Sequence, residues 1–230
     1  MQRHKKVLFY LLCFWIFFRS YCQASVHIGE WDWITTSVNV DMQVLRIPLF
    51  VLKLSAAALE DRLWKLKQGM MTDGANLYAV WSSLLDRWFS DSKTKVFIVT
   101  PAIDSRSLER LCYIVLNHRL TATLEMLATP LQSSCGQLAD IRREVMLKLP
   151  PKDQVFAEYK VYNAMVFPRA TFQAKFIAGL CGDSAEVLLT SADAETRHFQ
   201  EEHSSMVMFQ TLSAAEFDRR FLAPIVASVD

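Results

Sequence analysis

Glycine and proline are scarce in this chain, with 6 glycines and 7 prolines among 230 residues. Counts this low exclude a collagen-like repeat and a glycine- or proline-rich disordered chain. The charge is nearly balanced at a formal net +1, which gives no overall attraction to nucleic acid or to an anionic membrane. Because 52% of the residues are hydrophobic, we expect a globular protein in which any anion site is local.

Several motifs that carry chemistry in other proteins are absent. The sequence has no GxSxG elbow, which excludes an α/β-hydrolase, and neither GxxxxGK[ST] nor GxGxxG, which excludes the phosphate-binding loops of those kinds. It has no CxxC or HxxxH pair that would indicate zinc. We therefore expect no metal and no cofactor.

The N-terminus has the layout of a targeting segment. A basic stretch, MQRHKK, precedes twelve apolar residues, Val7 to Phe18, and the small residues Cys22 and Ala24 follow. This pattern predicts a secretory signal peptide over residues 1–24, cleaved before Ser25, and a secreted protein. An uncleaved signal anchor, which would hold the protein on the membrane through this segment alone, is one alternative, and a buried N-terminal helix is another. The run is shorter than the roughly 20 residues of a spanning helix.

Three cysteines remain after such a cleavage: Cys112, Cys135 and Cys181. An odd number allows either one disulfide with one free thiol or three buried thiols. The sequence leaves this choice open.

The first half of the chain predicts alternating helices and strands. Residues 45–54 are a strand candidate, interrupted by Pro48. A helix with Ser55 as N-cap follows, and its apolar residues recur at helical spacing: Leu59, Leu63, Leu66. A second amphipathic helix covers ANLYAVWSSLLDRWFS, and KVFIVTP has the continuous apolar composition of a buried strand. Asp104 or Ser105 then caps a third helix.

The second half predicts mainly strands. TATLEML is a strand candidate and CGQLADIRREVMLKL is a helix candidate. Four further strand candidates follow: QVFAEYKVY, TFQAKFIAGL, AEVLLTS, SSMVMF. A terminal helix is expected to turn Phe217 and Phe221 inward. This order of elements predicts an α/β fold, a mixed β-sheet flanked by helices.

The most informative stretch is TFQAKFIAGLCGDSAEVLLTSAD, residues 171–193. It predicts strand, turn and strand, with Lys175 in the first strand and a Thr-Ser-Ala-Asp cluster ending the second. It resembles the signature of the phospholipase D superfamily, in which His-x-Lys is followed by Gly-Ser-x-Asn. Lys175 matches the lysine and Ser191 the serine, whereas Gln173 stands at the histidine position and Asp193 at the asparagine position.

Two further positions extend the resemblance. The family's aspartate would fall on Leu180, and Asp183, three residues later, is a candidate replacement if the turn carries an insertion. Glu202 resembles the glutamate that opens the next strand of the motif. We also expect the side chains of Lys175 and Ser191 to point to the same side of adjacent strands.

The resemblance implies one phospholipase D-like lobe, covering roughly residues 77–226. The resulting division is a signal segment over 1–24, a lead-in of unassigned structure over 25–74 and a phospholipase D-like domain over 75–230. Single-lobe members of the family pair as homodimers, so the resemblance also implies a second copy, or a related lobe, as a partner.

The family's chemistry makes the change at Gln173 important. Its members attack a phosphodiester with a neutral imidazole and pass through a phosphohistidine, while lysines and the Ser/Asn pair hold the phosphoryl oxygens. An amide is a weak nucleophile, although it can donate a hydrogen bond, and Asp193 repels a phosphate. The first hypothesis is therefore a catalytically impaired protein that binds a phosphate-bearing ligand or a partner lobe.

Two alternatives stay open. His198 and His203 lie on the stretch after Ser191, either as surface residues or as replacements for the missing imidazole, and Glu201-Glu202 is placed to orient the ring of His203. The second hypothesis is accordingly an active phosphodiesterase, acting on phospholipid or nucleic acid, with a relocated histidine. The third is a structural or interaction domain with a vestigial groove.

Overall fold

The computed structural model describes residues 54–169 and 171–229. The predicted signal segment 1–24, the lead-in as far as residue 53 and nearly all of the strand candidate 45–54 lie outside the described residues. The helices are α1 Ala56–Leu66, α2 Gly74–Ser90, α3 Ser105–Asn117, α4 Leu138–Lys148, α5 Pro151–Lys160, α6 Ala214–Phe217 and α7 Ala223–Val226. The strands are β1 Met70–Asp73, β2 Lys95–Val99, β3 Leu124–Ala128, β4 Gln132–Ser133, β5 Gly136–Gln137, β6 Met165–Val166, β7 Phe176–Cys181, β8 Ser184–Thr190 and β9 Ser204–Ser213.

Seven of these strands form one mixed sheet in the order β1-β9-β8-β7-β2-β3-β6. Strands β2, β3 and β6 are parallel neighbours, and the other neighbouring pairs are antiparallel. Helix α3 connects β2 to β3, and α4 and α5 lie between β3 and β6. One hydrophobic cluster joins the sheet to α1–α5 and a second joins it to the C-terminal helix. The predicted mixed sheet flanked by helices is confirmed.

The predicted helix starts are confirmed. The hydroxyl of Ser55 accepts a hydrogen bond from the Ala58 amide at 3.2 Å, and the carboxylate of Asp104 accepts one from the Ser107 amide at 2.7 Å. Both satisfy an amide that the first turn of a helix leaves without a partner. The three leucines expected on the inner face of α1 are buried: Leu59, Leu63, Leu66.

The strand expected over QVFAEYKVY is wrong, because this segment forms helix α5. Pro151 occupies the first turn, where a missing amide hydrogen costs nothing. Asp153 in the first turn and Lys160 in the last complement the helix dipole. Ala157 and Val161, four residues apart, are the buried positions, so the apolar residues here follow a helical period.

The lead-in contributes to the same sheet as the rest of the chain. Strand β1 pairs with β9, with Met71 opposite Met206, and the leucines of α1 belong to the larger core cluster. The sheet thus begins before residue 75. On the motif itself, β7 starts at Phe176, so Gln173 and Lys175 precede the strand that was expected to contain them.

The C-terminal helix packs its phenylalanines inward, as predicted. It runs through α6, a π-helical segment Asp218–Leu222 and α7. Phe217 is fully buried and meets Phe97 edge-on at 5.3 Å between ring centroids, while Phe221 meets Phe176 at 5.1 Å. These are favourable aromatic geometries.

The three cysteines of the described part are free thiols. Burial raises the pKa of Cys112 to about 12. Burial also raises the pKa of Cys135 to about 12, and the neighbouring Glu195 carboxylate adds to that shift. Cys181 is exposed. The structure thus has three thiols and no disulfide among them, but of the three only Cys112 is buried.

Among the helices of the described ranges, none combines the length and the hydropathy required to cross a membrane.

Candidate functional site

The motif residues gather at one edge of the sheet. Strands β2, β3 and β8 end there, and β7 and β9 begin there. The connection from β8 to β9, residues 191–203, crosses this edge and is called the β8–β9 loop below. In open α/β sheets, the carboxyl ends of the parallel strands are where ligands bind, because loops and helix starts converge on them.

Lys175 is held at this edge by two acceptors. Its Nζ donates a hydrogen bond to the Ser191 carbonyl oxygen at 3.1 Å and lies 3.0 Å from Oδ1 of Asp193. The latter contact is an ion pair without hydrogen-bond alignment, since Oδ1 is buried and accepts no aligned hydrogen bond. An ammonium has three N–H donors, and the hydrogen bond to Ser191 uses one of them, so two are left for a ligand as far as the described residues go.

Ser191 takes part through its main chain. The Thr190 amide donates to the Lys175 carbonyl at 3.2 Å, which places Lys175 opposite Thr190. Lys175 precedes β7 and Ser191 follows β8, so neither lies within a strand, and the expectation that their side chains share one side of adjacent strands stays a prediction. The Ser191 hydroxyl instead accepts a hydrogen bond from the Met206 amide at 3.0 Å.

His198 and His203 both lie at the same edge. Nδ1 of His198 accepts the Asp193 amide hydrogen at 2.9 Å and lies 3.3 Å from the Asp193 carbonyl oxygen. Because the amide contact is the shorter, we assign the proton of the neutral ring to Nε2. The same Nδ1 is 4.0 Å from Oδ2 of Asp193. The two imidazole rings pack 4.3 Å apart between centroids, at 35°. Desolvation lowers the pKa of His203, and the neighbouring His198 and Arg197 lower it further.

Asp104 anchors the β8–β9 loop from the start of α3. One carboxylate oxygen caps the helix, and the other accepts the Thr196 amide at 2.6 Å. Burial raises the pKa of Asp104, but the hydrogen bonds from Thr196 and Ser107 outweigh it, so the pKa lies below its ordinary value. Ala194 completes this anchor by bridging to Ile103.

Glu195 anchors the loop on its other side. Its side chain is buried, with 4% of the residue exposed. It accepts a hydrogen bond from the Ser134 hydroxyl at 2.7 Å and pairs with Arg197. Burial raises the pKa of Glu195, and the hydrogen bonds from Ser134 and Cys135 outweigh this and hold the pKa below its ordinary value. The loop that carries the histidines is therefore fixed by two carboxylates, the buried one of Glu195 and the partly buried one of Asp104.

The first residue of α2 sets how closely this helix approaches the loop. A Cβ added to Gly74 would lie 2.7 Å from the Gln200 nitrogen and closer still to the carbonyl oxygens of His198 and Gln200. Only glycine lets the helix and the loop backbone come this near. The close approach of α2 thus contributes to the position of His198.

A small cavity lies behind the site. Its volume is about 20 Å³, and Thr100, Thr190, Asp193 and Phe199 are among the residues that line it. This volume has room for one water molecule, which would donate a hydrogen bond to Oδ1 of Asp193. A larger cavity of about 570 Å³ lies at the other end of α3, around Arg119, and is not part of this edge.

Several predicted site residues are not brought together with Lys175. Gln173 is exposed on the segment before β7, and Glu201 and Glu202 are exposed in a turn. Asp183 lies in the β7–β8 turn, about 20 Å away along the strands at 3.3 Å per residue. Asp183 therefore cannot replace the aspartate of the family motif, and Glu202 does not orient the imidazoles.

Sequence reasoning missed the residues that fix the loop. The sequence indicates Asp104 as a helix cap, but its second hydrogen bond joins residues 92 positions apart, which no local pattern indicates. Glu195 carried no local signal, because its partner Ser134 is 61 positions away. Within the described ranges, no group of three or more His, Cys, Asp or Glu side chains is arranged to hold a metal ion.

This edge of the sheet therefore holds a small polar site. It consists of the Lys175 ammonium together with the Asp193 carboxylate and two imidazoles on the fixed β8–β9 loop. In comparisons with known proteins, no family model and no curated protein matches this chain.

Proposed function

We propose that this protein is a phospholipase D-like domain that binds a phosphodiester group at Lys175 without hydrolysing it. The observation that carries the proposal is the convergence of Lys175, His198 and His203 on one sheet edge. An ammonium donor and imidazole N–H groups are suited to phosphoryl oxygens. The negative charge of Asp193 offsets the positive charge of Lys175, so the net charge of the site is close to zero when the rings are neutral.

The tautomer of His198 supports binding over catalysis. A histidine nucleophile attacks through its unprotonated nitrogen. In His198 that nitrogen is Nδ1, and its lone pair already accepts the Asp193 amide hydrogen. The Nε2–H group can donate to a phosphate but cannot attack it. Gln173, at the histidine position of the family motif, supplies only an amide.

The second candidate is an active phosphodiesterase in which His203 supplies the imidazole. It is favoured by the stacking of His203 on His198 and by the lowered pKa of His203, which desolvation causes and which keeps the ring neutral and nucleophilic at neutral pH. A second copy of the chain is the proposed partner in either case, since single-lobe members of the family act as homodimers. The third candidate, an interaction domain with a vestigial groove, predicts no phosphodiester binding.

Two charge changes of opposite sign test the proposal. Bis(4-nitrophenyl) phosphate binding is measured by isothermal titration calorimetry at pH 7. Lys175→Met is expected to weaken binding about tenfold or more, because a charge within about 5 Å contributes at least that much. Asp193→Asn is expected to strengthen binding about tenfold, because it removes the repelling charge and releases Lys175.

Lys95→Met is the matched control. Lys95 is a half-exposed lysine at the opposite end of β2, paired with Glu125 at 3.5 Å, and its loss is expected to leave binding unchanged. Equal affinities of all four proteins would contradict the proposed site. Release of nitrophenolate that His203→Gln abolishes would instead establish the phosphodiesterase.

Two further ligands distinguish a phospholipid from a nucleic acid as the source of the phosphodiester. Vesicles of phosphatidylglycerol and a short single-stranded oligonucleotide present the same group. The ligand whose affinity falls in Lys175→Met and rises in Asp193→Asn identifies the class of phosphodiester that the site binds. Nonspecific adsorption is insensitive to a single substitution at this edge.

A further inference from the structure

We infer that this protein binds a soft monovalent metal ion, copper(I), through three methionine thioethers on the edge strand β1 and its neighbour β9. Of the nine methionines of the chain, four lie on these two paired strands: Met70, Met71, Met206, Met208. The inference is independent of the proposed phosphodiester binding, because it concerns a different group of side chains.

Three of the four methionines share one face of the sheet. Burial alternates along β9, and Met206 and Met208 lie on its less buried side. Met71 is directly opposite Met206 in the antiparallel pairing of β1 with β9, where the Cβ atoms of paired residues are about 4.5–5.5 Å apart. Met71 therefore projects from the same face, beside Met206. Met70 projects from the other face, since side chains alternate along a strand.

The side-chain ends of Met206 and Met208 converge over Gly69. A Cβ built on Gly69 would lie 3.2 Å from Cε of Met208 and 3.9 Å from Sδ of Met206, so both side chains reach the same spot. The backbone of Gly69 has a φ of 74°, a conformation that favours glycine. Because glycine has no side chain, Gly69 leaves the two thioethers room to meet.

The thioethers are accessible to a ligand. Met71 is 55% exposed and Met206 is 50% exposed. Met208 is partly buried, and its Sδ accepts a hydrogen bond from Nε2 of Gln210 at 2.8 Å. A thioether sulfur has two lone pairs, so this contact orients the sulfur and leaves the second lone pair for a metal ion. The methionine side chain has three rotatable bonds, which lets Met71 turn its sulfur toward the other two.

The ligands determine which metal is bound. Thioether sulfur is soft, and soft ligands favour Cu(I). Zn²⁺ is bound by thiolate, imidazole and carboxylate groups, and Ca²⁺ and Mg²⁺ are bound by oxygen, so three thioethers bind these divalent ions poorly. None of the three ligands carries a charge to balance a divalent ion, which also favours a monovalent one.

The same ligands predict how binding depends on pH. Thiolate and imidazole sites release protons when they bind a metal, so acid weakens their affinity. A thioether has no proton to release. The affinity for Cu(I) is therefore expected to be equal at pH 6 and pH 8. This distinguishes the thioether site from binding at the exposed thiol of Cys181 or at a histidine.

The metal alone is the probe in the test. Ag(I), a redox-stable substitute for Cu(I), is titrated into the full chain labelled with ¹³C at the methionine methyl groups, after the accessible thiols have been blocked with iodoacetamide. The methyl resonances of Met71, Met206 and Met208 are expected to shift together and to reach their end point at one ion per chain. The affinity for Cu(I) is then measured without oxygen, by competition with bicinchoninate at both pH values.

Leucine substitutions test the ligands one at a time, since leucine keeps the apolar volume and removes the sulfur. Met71→Leu, Met206→Leu and Met208→Leu are each expected to weaken Cu(I) binding about tenfold or more, because even the hydrogen-bond partners of metal ligands contribute that much. Met126→Leu is the matched control. Met126 is a partly buried methionine on β3 of the same sheet, and its substitution is expected to leave the affinity unchanged.

Several outcomes would overturn the inference. Ag(I) that shifts none of the three methyl resonances of the natural chain does so, whether or not the variants fold. Cu(I) affinities that are equal in all four variants do so as well, and so does an affinity that falls between pH 8 and pH 6. A Tm measured for each variant identifies any loss that comes from unfolding. Each of these results leaves phosphodiester binding at Lys175 standing, because the two sites share no side chain.

Discussion

Replacing Gly74 by alanine tests whether the contact between α2 and the β8–β9 loop is as close as the structure has it. The backbone of Gly74 is not in the left-handed region, so alanine fits its conformation. By itself this exchange stabilises a folded protein by about 0.4–1 kcal/mol, since alanine restricts the unfolded chain. The exchange therefore sets a favourable backbone effect against a steric one.

The steric effect is expected to be the larger. The new Cβ would lie 2.7 Å from the Gln200 nitrogen and closer to two carbonyl oxygens, all of them backbone atoms that no side-chain rotation can move away. Overpacking of this kind costs typically 1–3 kcal/mol. After the favourable backbone effect is subtracted, we expect a net loss of about 1 kcal/mol, equivalent to a fall in Tm of about 2–4 °C for a domain of this size.

Thermal unfolding followed by circular dichroism measures this loss. Ala75→Gly, at the next position of α2, is the control, because it makes the reverse exchange at a partly buried position of the same helix and reports mainly the backbone effect. Displacement of the loop is also expected to change the NMR shifts of the His198 and His203 rings. A Gly74→Ala variant with an unchanged or higher Tm and unchanged ring shifts would refute the reasoning.

Two other predictions concern the anchors and the thiols. Asp104→Ala is expected to lower the free energy of unfolding by about 1–2 kcal/mol through the lost helix cap. Hydrogen bonds from Thr196 and Ser107 hold the pKa of Asp104 below its ordinary 3.8. The difference in free energy of unfolding between this variant and the natural chain, measured in urea, should therefore be complete above pH 4 and shrink below it. A difference that grows in acid would contradict this sign. Cys181→Ser is expected to remove one fast-reacting thiol in an Ellman assay at pH 8. Serine at the buried Cys112 or the partly buried Cys135 should leave the fast phase unchanged, since desolvation raises the pKa of both thiols to about 12.

The elements that the sequence predicted well are those whose pattern is local. The leucine spacing and the Ser55 cap specify α1, and the continuous apolar run specifies β2, because helix period and strand burial are properties of neighbouring residues. The strand expected in place of helix α5 is wrong because the short apolar run there fits both periods, and Pro151 lies in the first turn of the helix, where proline is favourable.

The candidate site was predicted in part. The motif singled out Lys175 and Asp193, and the structure joins them as an ion pair. It also drew attention to His198 and His203, which the structure stacks. Ser191 meets Lys175 through its carbonyl oxygen, and its hydroxyl accepts the Met206 amide hydrogen, two contacts that the motif did not indicate.

By itself, the sequence determined the α/β class, the capped helices and the absence of an imidazole at position 173, because residue types, periods and caps act over a few neighbouring residues. Only the tertiary structure decided that the lead-in supplies an edge strand, that Asp104 and Glu195 fix the β8–β9 loop, and that two histidines meet beside Lys175. These depend on strand register and on hydrogen bonds between residues 61 and 92 positions apart. No short-range pattern encodes such pairings, since their partners come together only when the sheet forms.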